Sequence, residues 1–292
     1  MSETVTRGLL VGVDGSEQGL AAVEWAAAEA AARNCRLTVC YVSDVGAPVA
    51  LPLTPELLTS VDRHSGRILA GGLARASRVA PDVSLGSCVV NGAPAAALAQ
   101  VGNDADEIVV GHRGLGGFAH VLLGSVSGQV AAHASVPVVV IRPATKPDGP
   151  VVVGIDKADG HHPSLRYAFE HAARHGVGVQ VVHAFHDPIA VTGLSYGLPE
   201  VDDGQVRQAA ADFVRDATAP WRMRFPRLDI EEITLGGAAA NTLVECSLGA
   251  SLLVVGRRGV AGLMGLLLGS VAQSVIRHAH CPVAVVGGTG SL

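Results

Sequence analysis

Charge and aromatic rings are both scarce in this sequence. Asp, Glu, Lys and Arg make up 16% of its 292 residues, and Phe, Trp and Tyr only 3%. Because 49% of the residues are hydrophobic, extended disorder is excluded. Basic residues are not in excess: 21 Lys and Arg stand against 26 Asp and Glu, for a formal net charge of −5. That balance argues against a nucleic-acid binder. The five cysteines, at 35, 40, 88, 246 and 281, contain no Cys-x-x-Cys pair. An odd set of this kind reads as buried, reduced thiols in a cytosolic protein. Composition also rules out collagen-like, disulfide-dense and coiled-coil chains. The opening Met1-Ser2-Glu3-Thr4-Val5-Thr6-Arg7 lacks a basic segment followed by an apolar core, so no secretory signal is expected.

Charge is missing altogether from Gly114 to Ile141, a stretch long enough to span a bilayer, and the mean hydropathy is +0.38. Yet that stretch holds His120, Gln129, His133 and Pro137. Its apolar residues fall in two short runs, Val121–Leu123 and Val138–Ile141. No membrane span is expected.

What the sequence does have is a repeat. EIVVGHRGLGGFAHVLLGSVSGQVAAHASVPVVVIR, at 107–142, returns as LLVVGRRGVAGLMGLLLGSVAQSVIRHAHCPVAVV, at 252–286. Gly111, Gly114, Gly124, Ser125 and Pro137 match Gly256, Gly259, Gly269, Ser270 and Pro282, each at an offset of 145. GLLVGVDGS, ending at Ser16, matches PVVVGIDKA, ending at Ala158, at an offset of 142. A net three residues are therefore gained between the two landmarks. Repeats this long are domains, placed at 1–143 and 151–292, with a Pro- and Gly-rich linker at 144–150.

Each copy alternates short apolar runs with helical segments. In the first, strands are expected at Leu9–Val13, Arg36–Val42, Val83–Val90, Glu107–Val110 and Val138–Ile141. Helices are expected at Glu17–Arg33, Pro55–Val79, Pro94–Val101 and Ser125–His133. The second copy repeats the order, with strands at Val151–Ile155, Val177–His183, Leu228–Thr234, Leu252–Val255 and Val283–Val286. Its helices are expected at Pro163–His175, Val201–Met223, Asn241–Leu248 and Val271–His278. Near-continuous apolar strands separated by helices imply an α/β fold. Two tandem doubly wound domains follow, each a five-stranded parallel sheet with helices on both faces. In such sheets ligands bind beyond the carboxyl ends of the strands. The Asp14 turn, the segment after Val42 and the loop after Val110 lie at that edge.

The pattern Gly-x2-Gly-x9-Gly-Ser stands in both copies, after an apolar strand and before a helix. This suits phosphate: glycines permit close backbone approach and positive φ, and the helix start offers N–H groups and a positive dipole end. Ser125 and Ser270 are expected to cap the helix and reach a phosphate oxygen. Arg113, Arg257 and Arg258 add charge. The alternative is that the glycines merely make a tight turn and allow close packing. The second copy keeps all four motif residues while neighbours change (His112→Arg257, Leu115→Val260, Phe118→Leu263).

VGVDGS, LTVCYVSD, NGAP, DEIVVGHRGLGGFAHVLLGSVS and ASVPVVVIRP, in that order, resemble the universal stress protein family, in its tandem two-domain form. The resemblance covers nearly the whole chain. It implies a five-stranded parallel α/β domain, with a Rossmann-like, adenine nucleotide alpha hydrolase-like fold, that binds ATP where the glycine pattern is kept. Gly12, Val13 and Asp14, with Gly154, Ile155 and Asp156, resemble the turn whose acid contacts the ribose region. Val42 and Ala184 resemble the position whose backbone reads the adenine edge. Gly111, Arg113, Gly114, Gly124 and Ser125 resemble the phosphate cradle, as do Gly256, Arg258, Gly259, Gly269 and Ser270. Val126 and Ser127, matched by Val271 and Ala272, continue the cradle into the helix. Mg²⁺ is expected to be held through the phosphates. The fifth strands resemble edges through which such domains pair, within a chain and in a homodimer. The second copy departs in Asp156-Lys-Ala158, in Ala272 for Ser127, and in Gly236-Gly-Ala-Ala239 for Asn91-Gly-Ala-Pro94.

Other candidates carry less. His278-x-His280 lacks further convergent ligands for a metal. His183 reads as a packed residue, and Asp202-Asp203 and Glu231-Glu232 as solvated faces. There is no Gly-x-Ser-x-Gly elbow, no Walker A lysine and no Gly-x-Gly-x-x-Gly at 111–117. An ATP-binding cytoplasmic regulator of the stress response, with one nucleotide site per domain and no catalytic residue, is the favoured reading. A slow ATPase or phosphotransferase would need a base beside the γ-phosphate, for which only His112 and His120 offer themselves. A scaffold for another adenine compound, such as cyclic AMP, is the third reading.

Overall fold

In the computed structural model, residues 7–44, 54–115, 123–156, 162–185, 203–257 and 268–287 are described. The chain divides into two compact units, Met1–Arg142 and Pro143–Leu292.

Unit one runs β1 (Gly8–Val13), α1 (Glu17–Arg33), β2 (Arg36–Ser43), α2 (Pro55–Val79), β3 (Leu85–Asn91), α3 (Pro94–Val101), β4 (Glu107–Gly111), α4 (Ser125–His133) and β5 (Val138–Ile141). Its strands are parallel, in the order β3-β2-β1-β4-β5. The central strands are apolar and buried throughout, from Leu9–Val11 to Ile108–Val110 and Val138–Val140. This is the composition a sheet needs when helices cover both faces. Alternation along the strands assigns the faces. A Cβ on Gly72 of α2 would lie 3.0 Å from Val39, and one on Gly12 would lie 2.9 Å from Leu98 of α3. Thus α1 and α2 take one face and α3 and α4 the other.

Unit two repeats the plan with β6 (Val151–Gly154), α5 (Pro163–His175), β7 (Val179–Phe185), α6 (Asp203–Arg224), β8 (Ile230–Gly236), α7 (Ala239–Cys246), β9 (Leu252–Gly256), α8 (Ser270–His278) and β10 (Val283–Val286). The strand order is β8-β7-β6-β9-β10, again parallel. A Cβ on Gly154 would lie 2.7 Å from Leu243 of α7, the counterpart of the Gly12–Leu98 contact. Phe169 and Trp221 stack with centroids 5.1 Å apart, joining α5 to α6.

The expected elements are all found, with shifted ends. The second strand of unit two starts at Val179, not Val177. Gly176 turns left-handed there (φ 68), and the Val177 N–H donates to the Ala172 carbonyl, closing α5. The third strands likewise begin two residues late, after turns. The first helix of unit two starts at an offset of 146 from α1 but ends at 142, so it is one turn shorter. The three-residue gain lies further on. β2 and β7 end at Ser43 and Phe185, still offset by 142, whereas α2 and α6 end at Val79 and Arg224, offset by 145. Val201 and Asp202 lie outside the described residues. No described helix is long and apolar enough to cross a membrane, and the uncharged stretch contributes α4 and β5 instead.

Candidate functional site

β1 delivers the first part of the site. After Val13 the chain turns through Asp14-Gly15-Ser16. Gly15 sits at φ 88, where an L side chain is strained, and faces Ile68 of α2. Ser16 caps α1: its Oγ accepts from the Gly19 N–H at 3.1 Å. The same residue fixes the acid. Ser16 N–H and Oγ–H both donate to Asp14 Oδ1, at 2.9 and 2.6 Å.

β4 delivers the second part. Beyond Gly111 the loop ends are pinned by backbone. His112 N–H donates to the Ile141 carbonyl at 3.0 Å, and Gly124 N–H to the His112 carbonyl at 2.7 Å. Leu115 N–H donates to Asp14 Oδ2 at 2.8 Å. Asp14 thus ties the β1 turn to the glycine loop. Gly114 must be glycine because a Cβ there would overlap the Asp14 carboxylate.

These parts enclose a cleft of about 450 Å³ at the carboxyl edge of the sheet, a size suited to a small-molecule ligand. Every site residue expected in unit one lines it. Gly12, Val13, Asp14 and Val42 come from β1 and β2 and the turn after β1. Gly111, Arg113 and Gly114 come from the loop. Gly124, Ser125, Val126 and Ser127 come from the start of α4. The sequence reading missed Cys40, Val110, Leu115, Gly19, Pro94 and Leu98. For Leu98 there was no signal, since an apolar residue on α3 reads the same whether it faces core or cleft. Pro94 stood in the NGAP motif but carried no assigned role.

Two expectations are corrected. Ser125 and Ser270 do not cap their helices. Gly124 and Gly269 are the N-cap residues, in extended backbone (φ −68 and −70), and no side chain among the described residues caps either helix. Among the described residues, the first-turn N–H groups of α4 at the cleft therefore have no side-chain acceptor. The described motif glycines do not use positive φ. Gly111 is small for packing, since a Cβ would lie 2.7 Å from the Gln18 carbonyl of α1, whereas one on Gly124 would meet nothing nearer than 3.4 Å. The Ser127 Oγ–H donates to the Gly111 carbonyl at 2.6 Å. That proton is committed within the protein, and the hydroxyl oxygen remains an acceptor.

His112, a possible base, does not line the cleft. It is buried, and its Nδ1–H donates to the Ile141 carbonyl at 3.0 Å. Burial pushes its pKa down and keeps the ring neutral. His120 lies outside the described residues. Asp14 is the one carboxylate among the described residues lining the cleft, and its two oxygens already accept three hydrogen bonds. One carboxylate supplies too few oxygens for a cation site built by the described lining alone.

In unit two the same scaffold stands at the same edge. Gly154, Ile155 and Asp156 follow or end β6, Ala184 lies in β7, and Gly256 ends β9. Gly269, Ser270, Val271 and Ala272 open α8. Arg257 N–H donates to the Val286 carbonyl and Gly269 N–H to the Arg257 carbonyl, both at 2.8 Å, as in unit one. Arg258 and Gly259 lie outside the described residues. The turn differs. His162, not a serine, caps the first helix, its Nδ1 accepting from Ser164 N–H at 3.4 Å. Ala272 brings no hydroxyl to the Gly256 carbonyl. His183 donates from Nδ1 to the Ile155 carbonyl at 3.1 Å and packs on Phe213. His278 donates to the Ser274 carbonyl. Glu231 accepts from Gln180, and Glu232 from Thr218 and Arg222, so both serve the surface of β8.

The family model described as "Universal stress protein family" matches twice, over residues 6–142 and 149–287. The chain belongs to the universal stress protein family. A universal stress protein of Mycobacterium tuberculosis is 35% identical over 289 residues, covering 95% of this chain and 96% of that one. A second from the same organism is 32% identical over 288 residues, covering 95% of each. The crystal structure of a universal stress protein from Archaeoglobus fulgidus has the same fold, with a TM-score of 0.71 at 18% identity over 97% of this chain and 98% of that one.

Proposed function

We propose that this universal stress protein binds ATP in the unit-one cleft, and a second ATP at the matching edge of unit two. The observation that carries the reading is the meeting of three features in one cleft: a fixed carboxylate, a glycine loop and an uncapped helix start. The apolar wall of Val42, Pro94 and Leu98 suits a base. The Val42 and Ala184 backbones would read the adenine edge, and Asp14 and Asp156 the ribose. Backbone N–H groups at Gly124–Ser127 and Gly269–Ala272 would receive phosphate oxygens, with Arg113 and Arg258 adding charge. Mg²⁺ bound through those phosphates would neutralise their charge.

ATP held there bridges β1, the loop and α4, and so biases the loop toward one arrangement. The protein then acts as a nucleotide-dependent regulator in the cytoplasm and assembles as a homodimer through a fifth strand. Turnover is disfavoured because His112 is buried, lies outside the cleft lining and spends its Nδ1–H on the Ile141 carbonyl. Calorimetric titration of the full chain with ATP, ADP and cyclic AMP tests the reading. ATP should bind most tightly, and without phosphate release. Preference for cyclic AMP would overturn the choice of ligand, and steady phosphate release lost in Gly114→Ala would overturn the binding-only role.

A further inference from the structure

We propose that Cys40 and Cys88 form a redox modification site, which a hydroperoxide closes to a disulfide that weakens ligand binding in the unit-one cleft. The second half rests on the nucleotide reading above; the first does not.

Cys40 of β2 and Cys88 of β3 are direct register partners, so their side chains leave the same face of the sheet. Neighbouring strands lie about 4.8 Å apart, inside the roughly 4.4–6.8 Å between Cα atoms that a disulfide spans. The Cys88 thiol is hydrogen-bonded to Cys40. Cys40 also lines the cleft, on the strand face that carries Gly12 and Val42. Unit two has Val182 and Ile233 at the matching, paired positions, so the device belongs to unit one alone.

The chemistry balances without a cofactor. Cys88 keeps 6% exposure against 0% for Cys40, so the oxidant meets Cys88 first. Its sulfur takes one peroxide oxygen to become a sulfenic acid, and the rest of the hydroperoxide leaves as an alcohol, or as water from hydrogen peroxide. The Cys40 sulfur then attacks the Cys88 sulfur, the S–O bond breaks, and hydroxide leaves with the Cys40 proton as water. Two thiols lose two electrons and one O–O bond is reduced. Both the Cys88 hydrogen bond and burial raise the Cys40 pKa. The pair is therefore inert in the resting protein and answers only sustained oxidant.

Closure has a mechanical consequence. A disulfide fixes its Cβ atoms about 3.8 Å apart. It locks β3, the outer strand of the unit-one sheet, to β2 at a fixed side-chain separation. β3 leads through the Gly92 turn (φ 140) into α3, which supplies Pro94 and Leu98 to the cleft. By linkage, bound ATP must then favour the reduced pair.

The test uses the full-length chain. After hydrogen peroxide treatment, remaining thiols are alkylated and the digest is mapped by mass spectrometry, with ATP affinity measured before and after. The expected results are a Cys40–Cys88 cross-link removed by dithiothreitol, and at least a tenfold loss of unit-one affinity that returns on reduction. Cys88→Ala should retain its affinity in peroxide. The mapping is made on the wild-type chain, so it stands whether or not the variant folds. Cys40 and Cys88 remaining thiols while the half-exposed Cys35 or Cys246 oxidises would overturn the site. A cross-link with unchanged ATP affinity would overturn the coupling. If the reduced chain binds no ATP, the nucleotide reading and the coupling fall together, while the map still decides the disulfide.

Discussion

Asp14 makes a larger claim on unit one than its size suggests. Its carboxylate takes hydrogen bonds from Ser16 twice and from Leu115 once, and so joins the helix cap of α1 to the glycine loop. Asp14→Asn sets an amide N–H₂ against one of these donors. It should cost about 1–3 kcal/mol of unfolding free energy and lower unit-one ATP affinity, as followed by urea denaturation and calorimetry. Ser127→Ala should separate the two effects. It strands the buried Gly111 carbonyl and costs a similar amount, about 1–3 kcal/mol, yet leaves the backbone N–H in place. ATP affinity should stay within a factor of a few while the thermal midpoint falls; a tenfold loss of affinity without loss of stability would return the hydroxyl to the ligand. His112 predicts a pH effect. Its folded pKa is depressed by burial below the ordinary value of 6.5, so the unfolded chain binds the extra proton first. Stability from this residue is complete above pH 6.5 and is lost as pH falls below it. Denaturation of wild type and His112→Gln across this range checks it: the wild type should lose more on acidification.

Among the elements, periodicity and apolar runs located the helices and strands well, because a sheet covered on both faces leaves little choice of residue. Strand starts were less legible. Val83 and Val177 are β-branched and apolar, but the chain is still turning there, and only the Gly176 left-handed cap and the Ala80 turn explain the delay. The site was legible where the motif is local to a strand end. Its chemistry was less so. The glycines look alike in sequence, yet Gly111 clears the α1 backbone, Gly114 clears Asp14, and Gly124 is a helix cap. This difference is testable. Gly111→Ala should lower the thermal midpoint of the chain, since overpacking against backbone costs about 1–3 kcal/mol. Gly124→Ala keeps an allowed φ and ordinary contacts, so it should fold as the wild type does.

At the scale of the whole molecule, duplication explains both the likeness and the inequality of the units. The sheets, the left-handed closures at Asn34 and Gly176, and the pinned loop ends are shared. The Ser16 cap, the Ser127 hydroxyl and the cysteine pair belong to unit one. The repeat itself was plain in the sequence, but the place of its three-residue gain was not, because drift between Ser43 and Val79 erases the alignment that strand register restores. The claim that most needs a direct answer is that the unit-one glycine cleft holds ATP. The measurement is ATP stoichiometry and affinity by calorimetry on the intact chain, beside Gly124→Ala with its fold verified by circular dichroism and thermal midpoint. Saturable ATP binding is expected in the wild type, with the loss of one site in the variant, whose new Cβ crowds the phosphates. No binding by the wild type, or an unchanged number of sites in a folded Gly124→Ala, would contradict it.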